Sequence, residues 1–180
     1  CYGEGEKPLL DLVKATDKLR HLEDNPAWIT KKDVEAGQGF QHDAIQDLDE
    51  IPFLDYDLLE DLEYGINPLS KTYAGVEDKQ NGFHVMTSRG CPHRCCFCAS
   101  HSVHGRQMRY YSLERVKEDF TRLKDRYRAR TLIFQDDHLA NKKKRTPKIL
   151  KIIKQLGVTA IFQNGIALYT LERELLQAYK

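Results

Sequence analysis

The chain has 180 residues, 41% hydrophobic and 31% charged, which is enough apolar content for one packed core and too much for wholesale disorder. Its longest uncharged apolar runs are a handful of residues, short of the roughly 20 that a membrane-spanning helix needs, and no charged-then-apolar leader opens it. It begins with Cys1 rather than Met, so an internal piece of a longer chain is expected. The net charge of +1 hides an asymmetry: residues 1–88 carry 8 Lys and Arg against 19 Asp and Glu, whereas residues 89–180 carry 20 against 8. Most of the excess basic charge reads as solvated outer faces of helices, with an anionic ligand or nucleic acid as the alternative.

In chain order, Leu9, Leu10, Leu12, Val13, Leu19 and Leu22 predict one amphipathic helix within residues 1–23, entered through a turn at Gly3 and Gly5. Residues 24–50, with Pro26, Gly37 and Gly39, read as an extended linker. Residues 51–62 form an apolar anchor on an acidic strip, with a short helix expected near 56–63. From residue 82 the rhythm changes. Gly82–Ser88 reads as a strand, and Ser112 as the N-cap of a helix to Tyr127. Arg130–Gln135 is a second strand, Thr146 and Pro147 open a helix that Gly157 closes, Val158–Gln163 is a third strand and Thr170–Tyr179 a third helix. This βαβαβα alternation predicts an α/β fold with a parallel sheet in chain order and right-handed crossovers. The expected organisation is a tail and linker over 1–50, a lead-in over 51–80, and the α/β core over 81–180.

Four of the five cysteines lie between positions 91 and 98. Such crowding argues against a disulfide framework and for metal ligation in a reducing compartment, so a cytoplasmic setting is expected. Spaced as Cys91-x3-Cys95-x2-Cys98, three thiolates come from one short loop after a strand. A structural zinc site takes four ligands, usually in two separated pairs; three thiolates suit a 4Fe-4S cluster with one iron left open. A zinc knuckle or plain electron-transfer cluster is the non-enzymatic alternative. Choosing Cys96 in place of Cys95 would leave only Phe97 between the last two ligands and demand a flatter loop, so Cys96 is expected to be a bystander.

This spacing, with Phe97 before the last cysteine, resembles the radical S-adenosylmethionine superfamily. The resemblance implies a partial (β/α) barrel and a 4Fe-4S cluster on Cys91, Cys95 and Cys98. It further implies S-adenosylmethionine bound at the open iron, and an electron donor such as flavodoxin or ferredoxin. Phe134-Gln135-Asp136-Asp137 resembles the stretch found at this place in cobalamin-type members, where Asp136 or Asp137 would accept from the cofactor's ammonium. Gln163-Asn164-Gly165-Ile166 also resembles the family, and Gln135, Gln163 and Asn164 would reach the ribose or carboxylate. Phe97 would pack near the adenine, and Arg109, ahead of the first helix, is expected among the cofactor-binding residues, where it would pair with an acidic group. Tyr2-Gly3-Glu4-Gly5-Glu6 and Asp47–Tyr56 resemble the tail of a cobalamin-binding domain and its linker to the radical core. Cobalamin itself would be bound by a domain outside this sequence. The implied activity is radical methylation or a related change on an organic small molecule. The rival within the superfamily is a tRNA methylthiotransferase-like enzyme with an RNA substrate.

Overall fold

The computed structural model describes residues 1, 3–37, 44–59 and 82–179. Tyr2, linker residues 38–43 with Gly39, and residues 60–81, with the rest of the lead-in and the end of the helix expected near 56–63, therefore lie outside the described residues. The chain forms two compact units, Cys1–Ile51 with Arg89–Arg109, and Pro52–Ser88 with Tyr110–Lys180.

In the first unit the single N-terminal helix expected from the leucine pattern is two helices, α1 (Glu6–Lys14) and α2 (Lys18–Asp24). The break is built from local chemistry. Ala15 and Asp17 are extended, and the Asp17 carboxylate accepts from the Arg20 amide at 3.0 Å, capping α2. Lys18 donates to the Val13 and Ala15 carbonyls, both at 2.6 Å, so the end of α1 is satisfied by the first residue of α2. The supposed linker also contains structure: α3 (Lys31–Glu35) starts from a capping box between Thr30 and Asp33, and Leu48–Glu50 makes a 3₁₀ turn. The cysteine segment carries a short helix, α4 (His101–His104).

The second unit is the predicted α/β core. Strands β1 (Gly82–Val85), β4 (Thr131–Phe134) and β5 (Thr159–Phe162) form a parallel sheet in chain order, with Gly82, Thr131 and Thr159 in register. Between them in sequence, β2 (Ser88–Arg89) pairs with β3 (Arg109–Tyr110) in a separate two-stranded ribbon, so the expected strand to Ser88 is interrupted. Helix α5 (Leu113–Tyr127) starts where expected, the Ser112 hydroxyl accepting from the Arg115 amide at 3.0 Å. Its buried residues Val116, Phe120, Leu123 and Tyr127 recur at helical spacing. Helix α6 (Thr146–Leu156) ends at Gly157, whose φ of 65° only glycine adopts without strain. Its start differs from expectation: Thr146 lies inside the helix and its buried hydroxyl donates to the Leu139 carbonyl at 3.1 Å, fastening the preceding turn instead of capping an amide. The last predicted helix, Thr170–Tyr179, is shorter than expected, α7 (Arg173–Ala178), and a 3₁₀ turn, Leu168–Thr170, precedes it.

One sheet face carries Phe83, Val85, Leu132, Phe134, Ala160 and Phe162, all in or against the core packed by the helices. Edge-on aromatic contacts run through it: Phe120–Phe134 with centroids 5.7 Å apart and Phe162–Tyr179 at 5.2 Å, joined by a tilted Phe134–Phe162 pair at 4.9 Å. Each fully buried phenylalanine contributes about 2–3 kcal/mol of hydrophobic stabilisation, and favourable ring geometry adds to it. This face therefore fixes which way the other face, and the strand ends, present their polar groups.

Candidate functional site: a thiol loop and polar strand ends

The cysteine loop leaves the chain directly after β2. At its neck Gly90 takes φ +90°, and a Cβ there would sit 2.2 Å from the Gln107 carbonyl oxygen, so only glycine lets the two sides close. The Cys91 amide donates to the Gly105 carbonyl at 3.3 Å across that neck. Further out, the Cys98 amide donates to the Cys95 carbonyl at 3.1 Å, which makes Cys95 and Cys98 the two ends of one turn with Cys96 and Phe97 at its tip. Cys95, Cys96 and Phe97 are exposed, Phe97 to 89%; Cys91 and Cys98 are half-buried, and the Cys98 sulfur lies 3.2 Å from the Ser100 hydroxyl. None of the cysteines is in a disulfide. Among the described residues no three Cys, His, Asp or Glu side chains stand together as a preformed ligand group. The donor set itself, three thiols from one loop with two at the ends of a single turn, suits an iron–sulfur cluster by its chemistry.

The roots of the loop converge on one carboxylate that sequence reading treated only as part of a turn. Glu4 is 4% exposed. Arg109 donates to both of its oxygens, Nη1 at 2.8 Å and Nη2 at 2.7 Å, a bidentate pairing. The Ile45 amide donates at 2.9 Å, His104 Nδ1 lies at 3.2 Å, and Arg89 Nη1 at 3.4 Å. Glu6 takes up the other end of Arg89. Burial alone would push Glu4 up, but His104, Arg109, the Ile45 amide and the Arg89 charge together hold its carboxyl far below the ordinary range. Arg109, which the resemblance places near a cofactor, is buried and also donates to the carbonyls of Ile45 and His104, so all of its Nη–H groups are engaged within the chain.

In the second unit, the two adjacent aspartates after β4 diverge. Asp136 is buried and accepts from the Thr87 amide at 3.0 Å, the Thr87 hydroxyl at 2.7 Å and the Ser88 hydroxyl at 2.6 Å. Burial pushes its carboxyl up, against the pull of Ser88, Thr87 and the nearby Arg145 charge. Arg145 closes this knot by donating to the Thr87 and Tyr111 carbonyls at 3.0 and 2.7 Å. Asp137 is half-buried, and no hydrogen bond to its carboxylate is present among the described residues.

The sheet face opposite the aromatic core carries a row of polar side chains, one from the region of each strand. Gln135 Nε2 lies 2.8 Å from His84 Nδ1 and donates to Gln163 Oε1 at 2.7 Å. Desolvation lowers the His84 pKa, which favours its neutral form. Asn164 turns back, its amide donating to the Gln135 carbonyl at 3.0 Å and, more loosely, the Asp136 carbonyl at 3.4 Å. Gln135, Gln163, Asn164 and the two aspartates thus cluster at the C-terminal ends of β4 and β5, the edge where parallel α/β folds bind ligands. His84 was missed because a lone histidine in a short strand carries no signal. Only its register beside Gln135 reveals it.

No family model matches the chain. It is 34% identical over 179 residues to an uncharacterised methyltransferase of Pyrococcus horikoshii, an alignment covering 99% of this chain and 36% of that protein. It is also 31% identical over 92 residues to the cytidylyl-2-hydroxyethylphosphonate methyltransferase of Streptomyces wedmorensis, covering 51% of this chain and 17% of the other. Over 41 residues it is 47% identical to the hopanoid C-3 methylase of Methylococcus capsulatus, covering 23% and 8%. The chain is similar to parts of proteins named as methyltransferases. It spans 36% of the length of the Pyrococcus protein and smaller shares of the others. Among the described residues no helix is long and apolar enough to cross a membrane.

Proposed function

We propose that this chain carries the thiolate loop and the first three βα units of a radical S-adenosylmethionine methyltransferase, of the type that also employs cobalamin. The observation that carries the proposal is the turn with Cys95 and Cys98 at its two ends, seven residues after Cys91 at most, in the loop that follows the first parallel strand. The methyltransferase relatives support it, and their names differ in the acceptor: a cytidylyl phosphonate in one, a hopanoid in another.

Cys91, Cys95 and Cys98 would hold a 4Fe-4S cluster, which when bound supplies the electron for reductive cleavage of S-adenosylmethionine, cobalamin on another part of the protein serving as methyl carrier. The chain's own residues bind and orient. Asp137 would accept the cofactor's ammonium, since the Asp136 oxygens are already occupied by Thr87 and Ser88. Gln163 and the Asn164 carbonyl oxygen would meet hydroxyl or amine donors, Gln135 holding Gln163 in place. Phe97, exposed at the turn tip, would cover the adenine. The organic acceptor is a small molecule.

The test is anaerobic reconstitution with iron and sulfide, followed by iron assay and electron paramagnetic resonance. Single Cys91→Ala, Cys95→Ala and Cys98→Ala variants should lose the cluster signal, and Cys96→Ala should keep it. Stoichiometric zinc in place of iron, or a Cys96→Ala variant that loses the signal while Cys95→Ala retains it, sinks the assignment.

A further inference from the structure

We propose that Glu4 is the positioning residue of the cysteine loop: one buried carboxylate from the N-terminal segment ties both roots of Arg89–Arg109 together and so sets the shape in which the thiols are presented. Arg89 lies two residues before Cys91, and His104 and Arg109 lie on the returning side. All three meet Glu4 within 3.4 Å. The neck is otherwise closed by main chain, through Gly90 against Gln107 and the Cys91 amide on the Gly105 carbonyl, with Arg106 donating to the His93 carbonyl at 2.5 Å further out. Pro92 to Phe97 are exposed, so little packing within the loop holds its tip. A buried carboxylate with its guanidinium partners in place is strongly held. Removing its charge leaves Arg89 and Arg109 facing each other across the neck with no anion between them, and like charges there drive the roots apart. Glu6, on the far side of Arg89, neutralises only that one arginine.

The tie is independent of what the thiols bind; its consequence for cluster assembly rests on the function proposed above. Hydrogen–deuterium exchange and maleimide labelling of the full chain test the tie without iron. In Glu4→Gln, amides of residues 90–107 should exchange at least about ten-fold faster, and Cys91 should label correspondingly faster, while amides of Thr131–Phe134 stay as in the wild type. Glu4→Asp, which keeps the charge, should recover much of the protection. His104→Ala removes a more peripheral partner and should show the same local pattern at about three-fold; it decides the matter should Glu4→Gln not fold. Unchanged exchange over 90–107, or equal acceleration in Thr131–Phe134, overturns the proposal. Reconstituted Glu4→Gln should also take up less than half the iron of the wild type. A wild type that binds no iron defeats the cluster reading and leaves exchange and labelling to judge Glu4.

Discussion

Asp136 and Asp137 are neighbours of identical chemistry in different surroundings. The first ends its strand inside a knot of Thr87, Ser88 and Arg145; the second is half-buried beside it. Asp136→Asn would place an amide N–H₂ against donors already aimed at oxygen, so unfolding free energy should fall by about 2–3 kcal/mol, read from urea midpoints. Asp137→Asn should change stability by less than about 0.5 kcal/mol and weaken S-adenosylmethionine binding to the reconstituted protein about ten-fold by calorimetry. The reverse pattern would exchange their roles. Sequence pointed to this pair but could not divide it. The donors to Asp136 come from 49 and 48 residues away, and only the pairing of β1 with β4 brings them there. Glu4 shows the same limit more sharply, since its arginine partner is 105 residues distant.

Where elements are specified by neighbours in sequence, they were legible. The Ser112 cap, the Leu113–Val116–Phe120–Leu123 stripe, the β-branched run of β4 and the Gly157 stop each act within a few turns of chain, and each stands where the pattern put it. The N-terminal helix divided because Asp17 and Lys18 offer side-chain caps that compete with continuing the helix, which leucine periodicity does not register. The end of α5 carries a different mark. Arg128 adopts φ 56° and ψ 36°, the left-handed conformation that usually falls to glycine. Arg128→Gly should therefore raise stability by about 0.5–1 kcal/mol, measured by chemical denaturation. A loss of that size would mean the Arg128 side chain contributes more than its backbone costs.

For the whole molecule, acid should be destabilising through Glu4 and His84, with Glu6 and Asp33, whose carboxyls are also lowered, acting in the same sense. Glu4 has an ordinary value of 4.5 when unfolded and lies well below it when folded, so its contribution is complete above that pH and drains away as pH falls through and below it. His84, lowered from 6.5, leaves the unfolded chain binding the extra proton, and stability falls as pH drops through 6.5. Asp136 and Asp119, both raised from 3.8 by burial, act in the opposite sense and partly offset this. Denaturant midpoints between pH 7 and 3 should decline in the wild type, with a shallower limb below pH 5 in Glu4→Gln. Parallel curves would remove Glu4 from the account.

The order in which the sheet is laid down has a kinetic consequence. β4 and β5 align residues 28 positions apart, whereas β1 and β4 align residues 49 apart, with the whole cysteine loop intervening. Closing the longer span costs about 0.5 kcal/mol more in chain entropy, before any stiffness of the loop is counted. The β4–α6–β5 crossover should then nucleate, and β1 should dock onto a template already made. Pulse-labelled refolding would see amides of Thr159–Phe162 protected ahead of those of Gly82–Val85; the opposite sequence would place the nucleus at the loop. On this order Thr87 and Ser88 reach the Asp136 carboxylate last, so that carboxylate stays open to water until the sheet is complete.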